Sequence, residues 1–312
     1  MNNPEKRPLT QSMINSYCWC ARKYWYQYIY GVVLDIFHFP FVIGEAAHTG
    51  VQSLLKYKDL DKALEAAADI IQKRKTEYEK THTLSADEDQ NIIFQQVNVE
   101  AMIRNYYSYY KDFIKEVKVL FIERILKYDM NLAGNFILTS KLDAIIKLRS
   151  EIYVYELKTS KSPSYESVMG AYAQMMSYYI NASQKYKIAG IYFNVIKKPQ
   201  FKLGKNESTE DYLIRLEENY KLPDNFYDDI VIPQKRHIKQ LTDLIKSKAI
   251  DIHYCEEDDY VTYANGDWWH YNRFMCRIYG NCEYLPLCDN GINDLTLRRY
   301  RRTTSMNEEL ED

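Results

Sequence analysis

Glycine and proline are scarce in this chain, 10 and 8 among 312 residues, and neither gathers into a run. No flexible or stiff linker therefore divides it. Long apolar runs are missing as well. No stretch approaches the roughly 18 to 20 residues of a membrane span, and the start has no apolar core of a secretory signal. A soluble, cytoplasmic protein with no membrane partner is expected. Charge of one sign is also lacking: Lys and Arg number 41 against 43 Asp and Glu, a net −2, so any surface for a polyanion must be local. There is no internal repeat, and no low-complexity segment before the last few residues. What is plentiful is core material, 46% hydrophobic residues, enough for one large or two modest domains. Tyrosine is frequent at 30 residues, much of it beside Lys or Arg. The six cysteines, in a chain without secretory features, read as free thiols or metal ligands rather than as disulfides.

The most informative stretch is FILTSKLDAIIKLRSEIYVYELK, residues 136–158. Two segments rich in β-branched and aromatic residues flank a polar Arg149-Ser150-Glu151, the pattern of a β-hairpin. A turn centred on Arg149 and Ser150 puts Asp143 opposite Glu156, and strand alternation puts Lys158 on the face of Glu156. The other face, from Ala144 to Leu148 and from Tyr153 to Leu157, is apolar. Like charges opposed across strands repel. A divalent cation turns that repulsion into binding, and Mg²⁺ is typically held by one or two carboxylates. Lys158 then stands where it can orient or deprotonate a water. A solvated strand face bearing a surface ion pair is the plain alternative.

Around the hairpin the periodicities predict helices over about 12–28, 59–80, 87–116, 164–184, 208–220 and 233–250, and strands over 117–128 and 188–196. Thr10 or Ser12 can cap the first helix, and Arg22 and Lys23 lie on its polar side, where they can meet phosphate. Gln174 and Tyr178, four apart, share a face of the helix after the hairpin. Cys276, Cys282 and Cys288 are separated by five residues each time, with Gly and Pro between them. With Cys20 they make four ligands for a [4Fe-4S] cluster or a zinc ion, with Cys18 or Cys255 as substitutes for Cys276. The aromatic run WWHYNRF before Cys276 reads as packing around the cysteines, with base stacking by Trp268 or Trp269 as the alternative, and the Arg298–Arg302 run reads as part of a flexible charged tail, though it can contact phosphates.

Asp143 followed by Glu156-Leu157-Lys158 resembles the D…ExK core of the PD-(D/E)xK nucleases. Gln174-Met-Met-Ser-Tyr178 resembles the Gln-x3-Tyr motif of their RecB-like branch, Gly44-Glu-Ala-Ala-His48 the Gly-x3-His motif, and Cys20-Ala-Arg-Lys-Tyr24 the opening of the iron-sulfur members, with Ala21 where proline is usual. The three later cysteines resemble those of AddB-type and CRISPR-associated RecB-like exonucleases, although the usual first gap there is two residues. The resemblance implies an α/β fold of the α+β type, a restriction-endonuclease-like mixed sheet flanked by helices. It implies one nuclease domain over 1–312: helix and Gly-x3-His motif at 9–50, helical insertion at 51–116, catalytic core at 117–200, helices and cysteine cluster at 201–290, and charged tail at 291–312. It further implies Mg²⁺ or Mn²⁺ on Asp143, Glu156 and His48, with Glu123 as an extra acidic residue. Lys158, Gln174 and Tyr178 become catalytic, and Tyr178, Arg22 and Lys23 contact DNA. The cluster staples the two ends of the chain together. The implied activity is that of a DNA exonuclease on single strands or ends, in repair, recombination or defence, with a helicase or recombination protein as partner. An endonuclease and a non-catalytic DNA-binding subunit are the competing readings.

Overall fold

The computed structural model describes residues 5–262, 269–278, 280–303 and 310; the first four residues, Trp268 and most of the acidic tail lie outside them. A short strand, β1 (Arg7–Leu9), leads into α1 (Gln11–Trp19), which Thr10 caps by accepting from the Met13 N–H at 3.2 Å. The single helix expected here breaks at Cys20, whose extended backbone separates α1 from α2 (Ala21–Tyr24) and a π-helical turn over Trp25–Ile29. Tyr24, Trp25, Tyr26 and Tyr28 are all buried, more than one face of a regular helix can hold. Next comes β2 (Val32–Leu34).

A helical lobe follows: α3 (Phe39–Tyr57), α4 (Leu60–Glu79), α5 (Ala86–Tyr109) and α6 (Lys111–Glu116). The apolar FPFVI forms the start of α3, where Pro40 costs no hydrogen bond. Asp59 caps α4 and a Ser85–Glu88 capping box starts α5, each satisfying N–H groups that a helix start leaves open. The long helix expected over 87–116 is interrupted at Tyr110. Gly50 lets these helices close on one another, since a Cβ there would lie 2.3 Å from Ile103 Cδ1.

The sheet and its cover are β3 (Lys118–Tyr128), β4 (Phe136–Leu148), β5 (Glu151–Ser160), α7 (Tyr165–Ala182), β6 (Ile188–Lys197), α8 (Thr209–Tyr220), β7 (Phe226–Val231) and α9 (Lys235–Thr262). Two short helices, α10 (Leu285–Asn290) and α11 (Asp294–Leu297), precede β8 (Tyr300–Arg302), which pairs antiparallel with β2. The main sheet runs β1-β4-β5-β6-β7, with β3 paired to β4. It is mixed: β1 with β4 and β5 with β6 are parallel, the other pairs antiparallel. Strands β1, β2, β7 and β8 were not among the predicted elements; they are three to six residues long, too short for alternation to show. No described helix is long and apolar enough to cross a membrane.

Both faces of the sheet are covered. Leu9, Met13, Val154, Met175, Phe193 and Ile245 belong to one core, under α1, α7 and α9. Val51, Ile103, Ile146, Tyr155 and Leu216 belong to the other, under α3, α5 and α8. The hairpin face that carries Asp143, Glu156 and Lys158 at its open end is also core: Val154 precedes Glu156 on that face and is fully buried.

The hairpin has the expected register, from Leu148 facing Glu151 to Ala144 facing Tyr155, with Arg149 at φ 53° in the turn. The ladder then stops. On the same edge of β4, Phe136 to Leu138 pair with β1, so residues 139–143 have no ladder partner on that edge among the described residues. Polar groups of α7 meet part of this fork. Asn181 Nδ2 donates to Ser140 Oγ at 2.6 Å, and Ser177 Oγ lies 3.5 Å from the same oxygen.

Candidate active site

The fork between β4 and β5 brings together Asp143, Glu156, Lys158 and His48. Where the ladder stops, Asp143 substitutes its carboxylate for a backbone acceptor: Oδ2 takes the Leu157 N–H at 2.9 Å. The same oxygen lies 3.4 Å from His48 Nδ1 on α3. One turn further along that helix, Gln52 donates to the Asp143 backbone carbonyl at 3.2 Å. Asp143 is thus held at its backbone and at its carboxylate.

Glu156 is 1% exposed, and neither of its oxygens accepts a well-directed hydrogen bond. Lys158 Nζ stands 2.5 Å from Oε1 as an ion pair, close in distance but poorly aligned. A buried carboxylate normally has partners, because leaving one without them costs several kcal/mol, on the order of the penalty for an uncompensated buried charge. The surroundings of Glu156 act accordingly. Burial, then the charge of Asp143, push its pKa up to about 7 against the opposing pull of Lys158 and His48. Burial also works to raise Asp143, but His48, Lys158 and the Leu157 N–H outweigh it and hold this carboxyl below its ordinary value. Lys158 is disfavoured as a cation by burial, yet Glu156 and Asp143 together keep its pKa above the usual lysine value. Two neighbouring carboxyls with opposite shifts form an acid/base pair in waiting.

The donor set fits a hard divalent cation. Glu156 offers two oxygens without directed partners, Asp143 a second carboxylate, and His48 an imidazole, the oxygen-rich environment that Mg²⁺ and Mn²⁺ prefer. Among the described residues, however, no group of three or more His, Cys, Asp or Glu side chains stands at metal-holding distance. The sequence model of the PD-(D/E)XK nuclease superfamily matches residues 8–289. The chain belongs to this superfamily. Its mixed sheet with helices on both faces is the restriction-endonuclease-like arrangement, and its class of activity is that of a nuclease acting on nucleic acid. No curated protein matches the chain.

The remaining site candidates of this PD-(D/E)XK protein fall in different places. Gln174 and Tyr178 do share a face of α7 and bond to each other, Nε2 to Oη at 2.5 Å. Tyr178 is 9% exposed and packs in the core under α7, so its ring offers no face for a base to stack on. Glu123 sits on β3 across from Asp143, between the pairs Ile122–Ala144 and Arg124–Leu142. Its backbone is left-handed, φ 47°, a strained state for a residue with a Cβ, and its side chain turns to Lys141 at 3.5 Å. Arg22 and Lys23 are engaged away from the fork. The Arg22 guanidinium covers the rings of Trp25 and Tyr26, and Lys23 pairs with Glu283 at 3.0 Å. Trp269 is 1% exposed and stacks on Tyr24, which removes it as a base platform.

Cys20, Cys276, Cys282 and Cys288 line one small cavity with Trp19, Lys23 and Tyr284. Hydrogen bonds bring the two segments together there: Arg22 N–H to the His270 carbonyl at 3.1 Å, and Asn272 N–H to the Cys20 side chain, Sγ, at 3.3 Å. Burial pushes the Cys288 thiol up to about 11 and raises Cys282 too, so both are protonated as they stand. A bound metal would displace those protons. Cys255 lies instead against the Tyr17 hydroxyl at 3.6 Å, and Cys18 is exposed; neither lines the cavity. Sequence reasoning missed Gln52, although its place four residues after His48 on one helix was a readable signal.

Proposed function

We propose that the chain is a metal-dependent deoxyribonuclease that degrades single-stranded DNA or DNA ends, more exonuclease than endonuclease. The observation that carries the reading is the buried Glu156, both oxygens lacking directed partners, beside a restrained Asp143 and a lysine. Asp143, Glu156 and His48 would hold Mg²⁺ or Mn²⁺. A bound divalent cation supplies Lewis-acid stabilisation of charge on the phosphoryl oxygens and a more acidic water. The Lys158 ammonium, two residues along the same strand face, orients the attacking water. Asp143 receives its fixed geometry from the Leu157 N–H and Gln52. Gln174 donates to Tyr178, and in this reading the pair positions the strand through Gln174, which is only partly buried. The four cysteines that share a cavity take a [4Fe-4S] cluster, or zinc, in a structural role, since hydrolysis needs no electrons. The preference for ends rests on the resemblance of these cysteines to those of the iron-sulfur exonucleases.

The test is digestion of end-labelled linear and of circular single-stranded DNA with Mn²⁺, by wild type and by Lys158→Ala. Linear substrate lost and circles intact supports the exonuclease. Circles opened moves the reading to an endonuclease. Both substrates untouched by folded protein supports a DNA-binding subunit.

A further inference from the structure

Beyond Lys158 the ends of β5 and β6 run on together, Ser160 beside Lys197, and the Lys198 N–H donates to the Ser160 carbonyl at 2.6 Å. The Lys198 side chain crosses to α3 and donates to the Pro40 carbonyl at 3.1 Å. That carbonyl lies in the first turn of the helix that carries His48. Burial, then the neighbouring charge of Lys161, hold Lys198 below the ordinary lysine range. Among the described residues neither lysine has an acidic partner within ion-pair distance. Two cations are thus kept within repelling range, each one residue past the end of the paired strands that carry the site.

Next to Pro40 stands Phe41, 60% exposed, an unusual setting for a large apolar ring. One side of the ring is backed by Arg74, whose guanidinium carbon is 6.0 Å from the ring centroid. Arg74 in turn is clamped by both oxygens of Glu45, at 2.6 and 2.8 Å. The ring is therefore a supported platform with an open side, and the Lys198 ammonium is bonded to the carbonyl of the residue before it, with the charge of Lys161 close to that ammonium. A flat ring next to phosphate-seeking cations suits a strand whose base faces are uncovered, and in a duplex those faces are hidden by stacking.

The geometry points to Phe41, Lys161 and Lys198 as the grip for the single-stranded stretch of substrate adjoining the Glu156 site, Phe41 stacking on a base and the lysines holding neighbouring phosphates. This assignment rests on the nuclease reading for its substrate but not for its test. Binding of fluorescent oligo(dT) is measured by anisotropy in metal-free buffer, where no cleavage is needed, across a salt series. Phe41→Ala is expected to weaken oligo(dT) binding by at least about fivefold while Phe41→Trp keeps it, and blunt duplex binding is expected to be unaffected by either. Lys161→Gln alone, at an exposed side chain, is expected to reduce the salt slope by about 0.7. Lys161→Gln with Lys198→Gln should reduce it by about 1.4. Folded variants with wild-type affinity and slope would overturn the grip even if the enzyme cleaves DNA. Loss of binding in these variants upholds it even if no cleavage is found, in which case only the nuclease reading falls.

Discussion

Two regions of this molecule gather potential ligands, and they are built in opposite ways. The fork between β4 and β5 collects hard donors, two carboxylates and an imidazole. It leaves Glu156 buried without a directed hydrogen bond and places a left-handed Glu123 on the neighbouring strand. The cavity between the chain ends collects soft thiols among stacked rings such as Tyr26 on Tyr284 and Tyr284 on Tyr300. The first region is electrostatically unsettled in a way that a divalent cation relieves. The second is packed, and burial favours the protonated thiols of Cys282 and Cys288. Unrelieved charge marks chemistry; close packing marks architecture.

The comparison breaks most sharply under substitution. Asp143→Asn, which keeps an acceptor for the Leu157 N–H, should lower metal-dependent cleavage by about a thousandfold or more, the scale of losing a main electrostatic group in the transition state, with little change in melting temperature. Cys282→Ser should do the reverse. If the cavity holds a structural metal, the variant loses iron or zinc by elemental analysis, and its melting temperature falls by several degrees. Cleavage per folded molecule should then stay within a few-fold. If both variants lose the same property, the two regions are not separate.

A pH series on metal-free protein sharpens the contrast. The pKa of Glu156 is raised from its ordinary 4.5 to about 7, so the folded chain holds a proton that the unfolded chain has released in that window. Stability should therefore fall as pH rises from 4.5 to 7, by up to about 3 kcal/mol, read by urea denaturation. Glu156→Gln should flatten the slope, and a Cys282→Ser slope should match wild type. The smallest expected effect is at Gln52. Removing its bond to the Asp143 carbonyl should cost about 1 kcal/mol of stability and lower kcat several-fold with KM unchanged, since Gln52 positions Asp143 without touching substrate.

The hairpin was legible because alternation on both sides of Arg149 and Ser150 fixes the register, and the structure has that register from Leu148 to Ala144. The long helices and the strands β3 and β6 were legible from strong periodicity. The fork itself was not. It depends on β1 joining β4 in parallel, Arg7 beside Phe136, far apart in the chain, and a three-residue strand carries no pattern. Nor did the pairing of Asp143 with Glu156 hold as drawn. At that step the Asp143 side chain, rather than its backbone, takes the partner strand's N–H. Tyr178 was read as a candidate for DNA contact, and Trp269 as packing with base stacking as its alternative, because aromatic residues serve equally as core and as platform. Only burial separates the two roles, and both residues are core. Phe41 shows the converse, an aromatic residue in an apolar run that the fold leaves at the surface.

The account stands on a divalent cation at the fork, and Mn²⁺ titration followed by electron paramagnetic resonance tests it most directly, on wild type, Glu156→Gln and Cys282→Ser. One Mn²⁺ held by wild type and Cys282→Ser, and lost in Glu156→Gln, is the predicted result. Mn²⁺ held equally by Glu156→Gln, or absent from folded wild type, would contradict it.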